Sequence, residues 1–141
     1  MRPALAAILI AVLPSACSDF PRDPAGTLDR VRASETIRLG MVEGAAPDPA
    51  AERVLARLSE KTGARIERMP GHGEELLEGL ELGEYDLVYG HFADASPWAV
   101  QVHFGTPPGG PDKPPKSVSL PRFAFRMGEN GWITTVEGAA Q

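Results

Sequence analysis

The 141-residue chain predicts an α/β domain, a mostly parallel open sheet flanked by helices, and three observations carry that prediction. Strand-like and helix-like segments alternate as β-α-β-α-β between residues 36 and 92. Each crossover holds a single helix, which forces parallel pairing, and the right-handed rule for such connections leaves few arrangements of three strands. The third strand, within "YDLVYGHF" (Tyr85 to Phe92), is apolar on both faces, as a strand covered by helices on both sides requires.

Each element has its own signals. Thr27 is the expected N-cap of a short helix over Leu28 to Ala33. In "TIRLGMV" (Thr36 to Val42), Ile37, Leu39 and Met41 alternate with Arg38 and Gly40. Asp48 with Pro49 opens the next helix, Ala51, Val54, Leu55 and Leu58 mark its apolar face, and Gly63 ends it. "ARIERM" (Ala64 to Met69) alternates as a half-exposed strand, and "PGHG" turns the chain into a helix from about Gly73 to Leu82, stopped by Gly83. After a brief extended piece over Val100 to Phe104, a Pro/Gly-rich loop is expected at about 105–117. "VSLPRFAFRM" (Val118 to Met127) reads as a strand, with Pro121 implying an edge position or a first half outside the ladder. A short helix from about Glu129 to Glu137, with Trp132 in the core, closes the chain.

Composition narrows the function. The net charge is −5 and no Lys/Arg cluster is present, so the basic stripe that nucleic-acid binding requires is missing. Nothing in the sequence calls for a cofactor, and the single cysteine rules out a disulfide within the chain. Residues 1–17, "MRPALAAILIAVLPSAC", place Arg2 before ten apolar residues. That run is short of the ~20 residues of a membrane span and matches the apolar core of a secretory signal peptide. "LPSAC" resembles a bacterial lipobox, although Pro14 stands where that pattern has Leu, which makes Cys17 the expected site of lipidation and membrane anchorage. The expected organisation is a signal peptide with a lipobox-like site at 1–17, a tether at 18–26 and one domain at 27–141.

In an open α/β sheet, ligands gather beyond the carboxyl ends of the strands, where loop amides and helix N-termini converge. Three loops qualify: "EGAAPD", "PGHG" and "ADASPW". From these, Glu43, Gly44, His72, Asp94, Ser96 and Trp98 are the expected ligand-binding residues, with Trp98 offering a stacking face and the carboxylates accepting hydrogen bonds from a neutral or cationic ligand. The plainer alternatives are solvated loop acids, Asp94 or Ser96 as a cap, and His91 as a core histidine. No Gly-x-Ser-x-Gly elbow, phosphate loop or dinucleotide pattern occurs, and the spacing of His72, His91 and His103 matches no metal-ligand motif. No catalytic residue is therefore assigned. A hydrolase would need His72, His91 and Asp94 to meet.

The ordered segments "LDRVRASETIRLGMV", "AERVLARLSEKTGARIERM", "EELLEGLELGEYDLVYGHF" and "VHFGTPP", with "L-x-x-G-x-x-D" at Leu80, Gly83 and Asp86, resemble the extracytoplasmic solute-binding proteins of the polar-amino-acid type, family 3. The resemblance covers roughly residues 28–108, and "RFAFRMGENGWITTVE" resembles their closing segment. What lies between, about 109–117, is too short for a second lobe. The resemblance thus implies one lobe of a periplasmic-binding-protein-like (type 2) fold, in an exported protein that binds a small ligand for an ABC-type importer. Where amino-acid binders supply a Thr and then an Arg that holds the ligand carboxylate, the corresponding places here fall near Ala95 and Pro97 or Trp98, and no Arg occurs between Arg68 and Arg122. Such receptors close two lobes over the ligand, so a single lobe implies cover from a permease partner, self-association across the open cleft, or weak binding. The alternative is an accessory or sensor subunit that docks on a membrane complex without a ligand of its own.

Overall fold

The computed structural model describes residues 23–141; the expected leader, Cys17 and residues 18–22 of the tether lie outside the described residues. From Asp23 the chain forms α1 (Thr27–Ser34), β1 (Thr36–Val42), α2 (Pro49–Thr62), β2 (Arg65–Gly71), α3 (Gly73–Leu82), β3 (Leu87–Phe92), a 3₁₀ turn (Pro97–Val100), β4 (Val102–Phe104), β5 (Leu120–Arg126) and α4 (Asn130–Gly138). Among the described residues no helix is long and apolar enough to cross a membrane.

The five strands lie in the order β2-β1-β3-β5-β4. β1 pairs in parallel with β2 and β3, while β5 runs antiparallel to both β3 and β4. The α2 crossover carries the chain from β1 to one neighbour, and the α3 crossover returns it to the other side of β1. The two helices consequently cover opposite faces, and the strand order reverses between β1 and β3.

The expected punctuation operates at both crossovers. Asp48 accepts the Ala51 N–H at 2.8 Å with Pro49 in the first turn, and Gly63 closes α2 at φ 72°. Beside this cap, the Asp48 N–H reaches the Tyr89 hydroxyl at 3.4 Å, and burial pushes that phenol above its usual range.

Side-chain alternation sorts the core into two clusters. Ile37, Leu39, Leu87, Tyr89, Phe123 and Phe125 face α1, α2 and α4, where Trp132 is fully buried. Val88, Phe92, Val102 and Ala124 face α3 through Leu76, Leu77 and Leu80, with Val42, Trp98 and Phe104 packed on that cluster. The two apolar faces expected of β3 serve one cluster each.

Four expectations are corrected. The N-cap of α1 is Gly26 at φ 68°, not Thr27, because the Thr27 N–H is taken by the Glu129 carboxylate at 2.8 Å. Residues 23–26 of the expected tether are bonded into the lobe: Asp23 accepts from Gly131 and Trp132 at the start of α4, and Ala25 donates to Glu129. Pro121 is on an inner strand. β4 flanks β5 only from Ala124 to Arg126, so Pro121 pairs with β3 alone and no ladder loses a bond on its other side. β2 also runs two residues further than expected, through Pro70 and Gly71 on the sheet edge.

Asp86 explains the "L-x-x-G-x-x-D" spacing. Leu80 is buried, Gly83 ends α3 in the left-handed region at φ 81°, and the chain then delivers a buried carboxylate to the foot of β3. Asp86 accepts the Arg38 N–H at 2.8 Å, pairs with the Arg38 guanidinium at 2.9 Å and with Arg30 of α1, while its carbonyl accepts the Trp132 indole N–H at 2.8 Å. Both arginines are about one-third exposed and can turn to water, so Asp86→Ala should cost about 3 kcal/mol, the low end for a broken buried pair. Denaturant unfolding followed by circular dichroism measures it, and a loss under 1 kcal/mol would contradict this role.

Candidate functional site

The parallel registers bring the ends of β1, β2 and β3 to one edge of the sheet. Val42 lies opposite Gly71, and Met41 opposite Tyr89, three residues before the end of β3 at Phe92. The three expected loops therefore share a rim.

On the β1–β2 side, the Glu43 N–H donates to Gly71 O at 3.0 Å, and Gly44 turns the chain at φ 80°, which a side chain rarely adopts. His72 sits at the N-cap position of α3, its Nδ1 3.7 Å from the Glu43 carboxylate, beyond hydrogen-bond length; both side chains are exposed. On the β3 side, Ser96 accepts the Trp98 N–H at 3.3 Å and caps the 3₁₀ turn, and Trp98 is half-buried against the α3-side cluster. Because β4 runs parallel to β3 with β5 between them, residues 93–101 cross that face, and Trp98 belongs to the crossover and not to the outermost rim.

Gly90 lies under the join between the two halves. A Cβ there would sit 2.6 Å from Val42 Cγ2 and 2.8 Å from the Phe92 ring, so only glycine lets these side chains meet across β3. Phe92 stacks in turn on Phe104, with ring centroids 5.0 Å apart.

The structure adds a residue that the sequence analysis did not single out. Arg122 of β5 is opposite Gly90, and its side chain is only 2% exposed. Its Nη1 donates to Asp94 Oδ1 at 2.5 Å, whereas Nε and Nη2 are buried without a partner among the described residues. Asp94 is thus engaged at the rim by a buried cation, with its carboxylate 35% exposed. The signal was available: strand alternation puts Arg122 on the same face as Ala124, turned into the protein.

His91 is exposed, so its reading as a core histidine is corrected. No hydrogen bond joins His72, His91 and Asp94. Among the described residues no group of three His, Cys, Asp or Glu is placed to hold a metal. A cavity of about 240 Å³ lies on the opposite face from Arg122, between residues 105–112, α2, α4 and β5, and none of the six expected residues lines it.

Among solved structures, the chain is similar to the arginine-bound form of domain 1 from TmArgBP, with TM-score 0.63 and 12% identity over 79% of this chain and 96% of that one. A point mutant of that domain gives TM-score 0.63 and 13% identity over 80% and 95%. The chain has the fold of one lobe of a family 3 solute-binding protein. An ancestral cationic amino acid solute binding protein, AncCDT-1, also matches at TM-score 0.53 and 13% identity, over 81% of this chain and 97% of that one. At these identities the likeness is one of fold. No protein-family model matches the chain, and no curated protein matches it.

The burial asymmetry within the Asp94–Arg122 pair predicts unequal variants. Asp94→Ala leaves a buried guanidinium without its counter-charge and should cost about 3–5 kcal/mol. Arg122→Met leaves a carboxylate that can turn to water and should stay within about 1 kcal/mol of the parent. Unfolding midpoints of the two variants check this; equal losses would contradict it.

Proposed function

We propose that this lobe binds a small solute at the strand-exit rim and serves an ABC-type importer from the periplasmic side of a membrane, anchored through a lipid on Cys17. One observation carries the reading: β1, β2 and β3 end on a single edge next to the reversal of strand order, where open sheets of this kind hold ligands. Glu43, Gly44 and His72 form one side of the proposed site, Asp94 and Ser96 the other, and Trp98 stands below them on the crossover, half-buried.

A lone lobe encloses less than the usual ~70–90% of a ligand's surface. The fold match to a single arginine-bound domain supports binding without a second lobe, and a permease or a second copy would supply the remaining cover. Nothing in the site assigns a chemical step to any residue, and binding is the proposed activity.

Calorimetric titration with a panel of sugars, amines, amino acids and metal ions tests the reading. At least one compound should bind saturably, and Trp98→Ala should weaken it roughly tenfold through loss of an aromatic contact. Binding by no compound, or binding indifferent to Trp98, together with co-purification of a membrane protein, would favour the docking subunit instead.

A further inference from the structure

The rim holds a guanidinium whose hydrogen bonding is only half complete. Arg122 projects from β5 beneath the crossover that begins at Ala93, and Asp94 takes its Nη1. The two donors without partners, Nε and Nη2, form one edge of the guanidinium, where two parallel N–H groups present a fork to paired oxygens. Bare buried donors are costly, and native structures keep few of them. Beside it, the Ala95 N–H donates to Lys116 O at 2.8 Å and ties this crossover to the segment before β5.

Charge decides what the fork accepts. Asp94 already offsets the positive charge of Arg122. A ligand carboxylate on the free edge would leave a net negative charge in a poorly hydrated place. Paired neutral oxygens complete the hydrogen bonds without that penalty, and the exposed part of the Asp94 carboxylate can accept from a hydroxyl beside them.

We propose that Asp94 sets the charge of the solute: the Arg122 fork takes the paired oxygens of a small neutral polyol, and carboxylates are turned away because Asp94 has used the guanidinium's charge. This rests on the reading of the rim as a solute site. It makes Asp94 a specificity-determining residue, and its removal should reverse preference instead of simply weakening binding.

The test is calorimetric titration of the full chain and of Asp94→Asn, Arg122→Met and Trp98→Ala with a set of neutral polyols that includes glucose and inositol, with propionate and with propylamine, at fixed ionic strength. The parent should bind a polyol saturably and discriminate against propionate. Asp94→Asn keeps an acceptor for Nη1 but frees the charge, and should bind propionate at least about tenfold more tightly than the parent. Arg122→Met should bind neither. Propionate binding equal in parent and Asp94→Asn, or polyol binding retained in Arg122→Met, overturns the proposal. Should Asp94→Asn fail to fold, the parent decides alone: preference for propionate or propylamine over every polyol overturns it. A charged solute bound in a Trp98-dependent way, with no polyol bound, sinks this inference and leaves the solute-binding reading standing; no saturable binding of any probe sinks both.

Discussion

The carboxylate of Asp86, buried at the foot of β3, fixes where the strands above it end. By taking the Arg38 backbone N–H as well as its guanidinium, it locks β1 and β3 at one height; it also pairs with Arg30 of α1, while the Asp86 backbone carbonyl takes the Trp132 indole N–H of α4. Four separate elements thus meet at one residue. A register slip of one residue would exchange the two faces of β3, sending Tyr89 towards α3 and Val88 towards α2. It would also carry Gly90 away from Val42, and the rim would no longer be level.

The lobe is closed by its own ends. Asp23 caps α4 while Glu129, itself buried, accepts from the residues that begin α1, so each terminal helix is completed by the residue preceding the other. These bonds span more than a hundred residues of sequence and bring α4 back beside α1 after only the short 105–119 excursion. The ledge above the core stays open, and any enclosure of a solute must come from outside the described residues.

Much of this was legible because the signals were local. Asp48-Pro49, Gly63 and Gly83 are start and stop residues whose physics operates within one turn, and the crossover lengths dictated parallel pairing. The rest depended on distant partners. β4 has three residues, too few for a periodic pattern, so its pairing with β5 and the inner position of Pro121 were not visible. Glu129 reads only as the start of the last helix until its partners at residues 25 and 27 are known. At the site, the shared edge followed from the strand order, but the engagement of Asp94 required knowing that β5 turns Arg122 inward beneath that very loop.

Amide NMR mapping during titration of the solute found to bind tests the central claim most directly. The account predicts that the shifts cluster at residues 43–45, at His72, and at residues 93–98 together with Arg122. Shifts confined to the α1–α4 side of the lobe or to residues 105–112, with the strand exits unmoved, would contradict it.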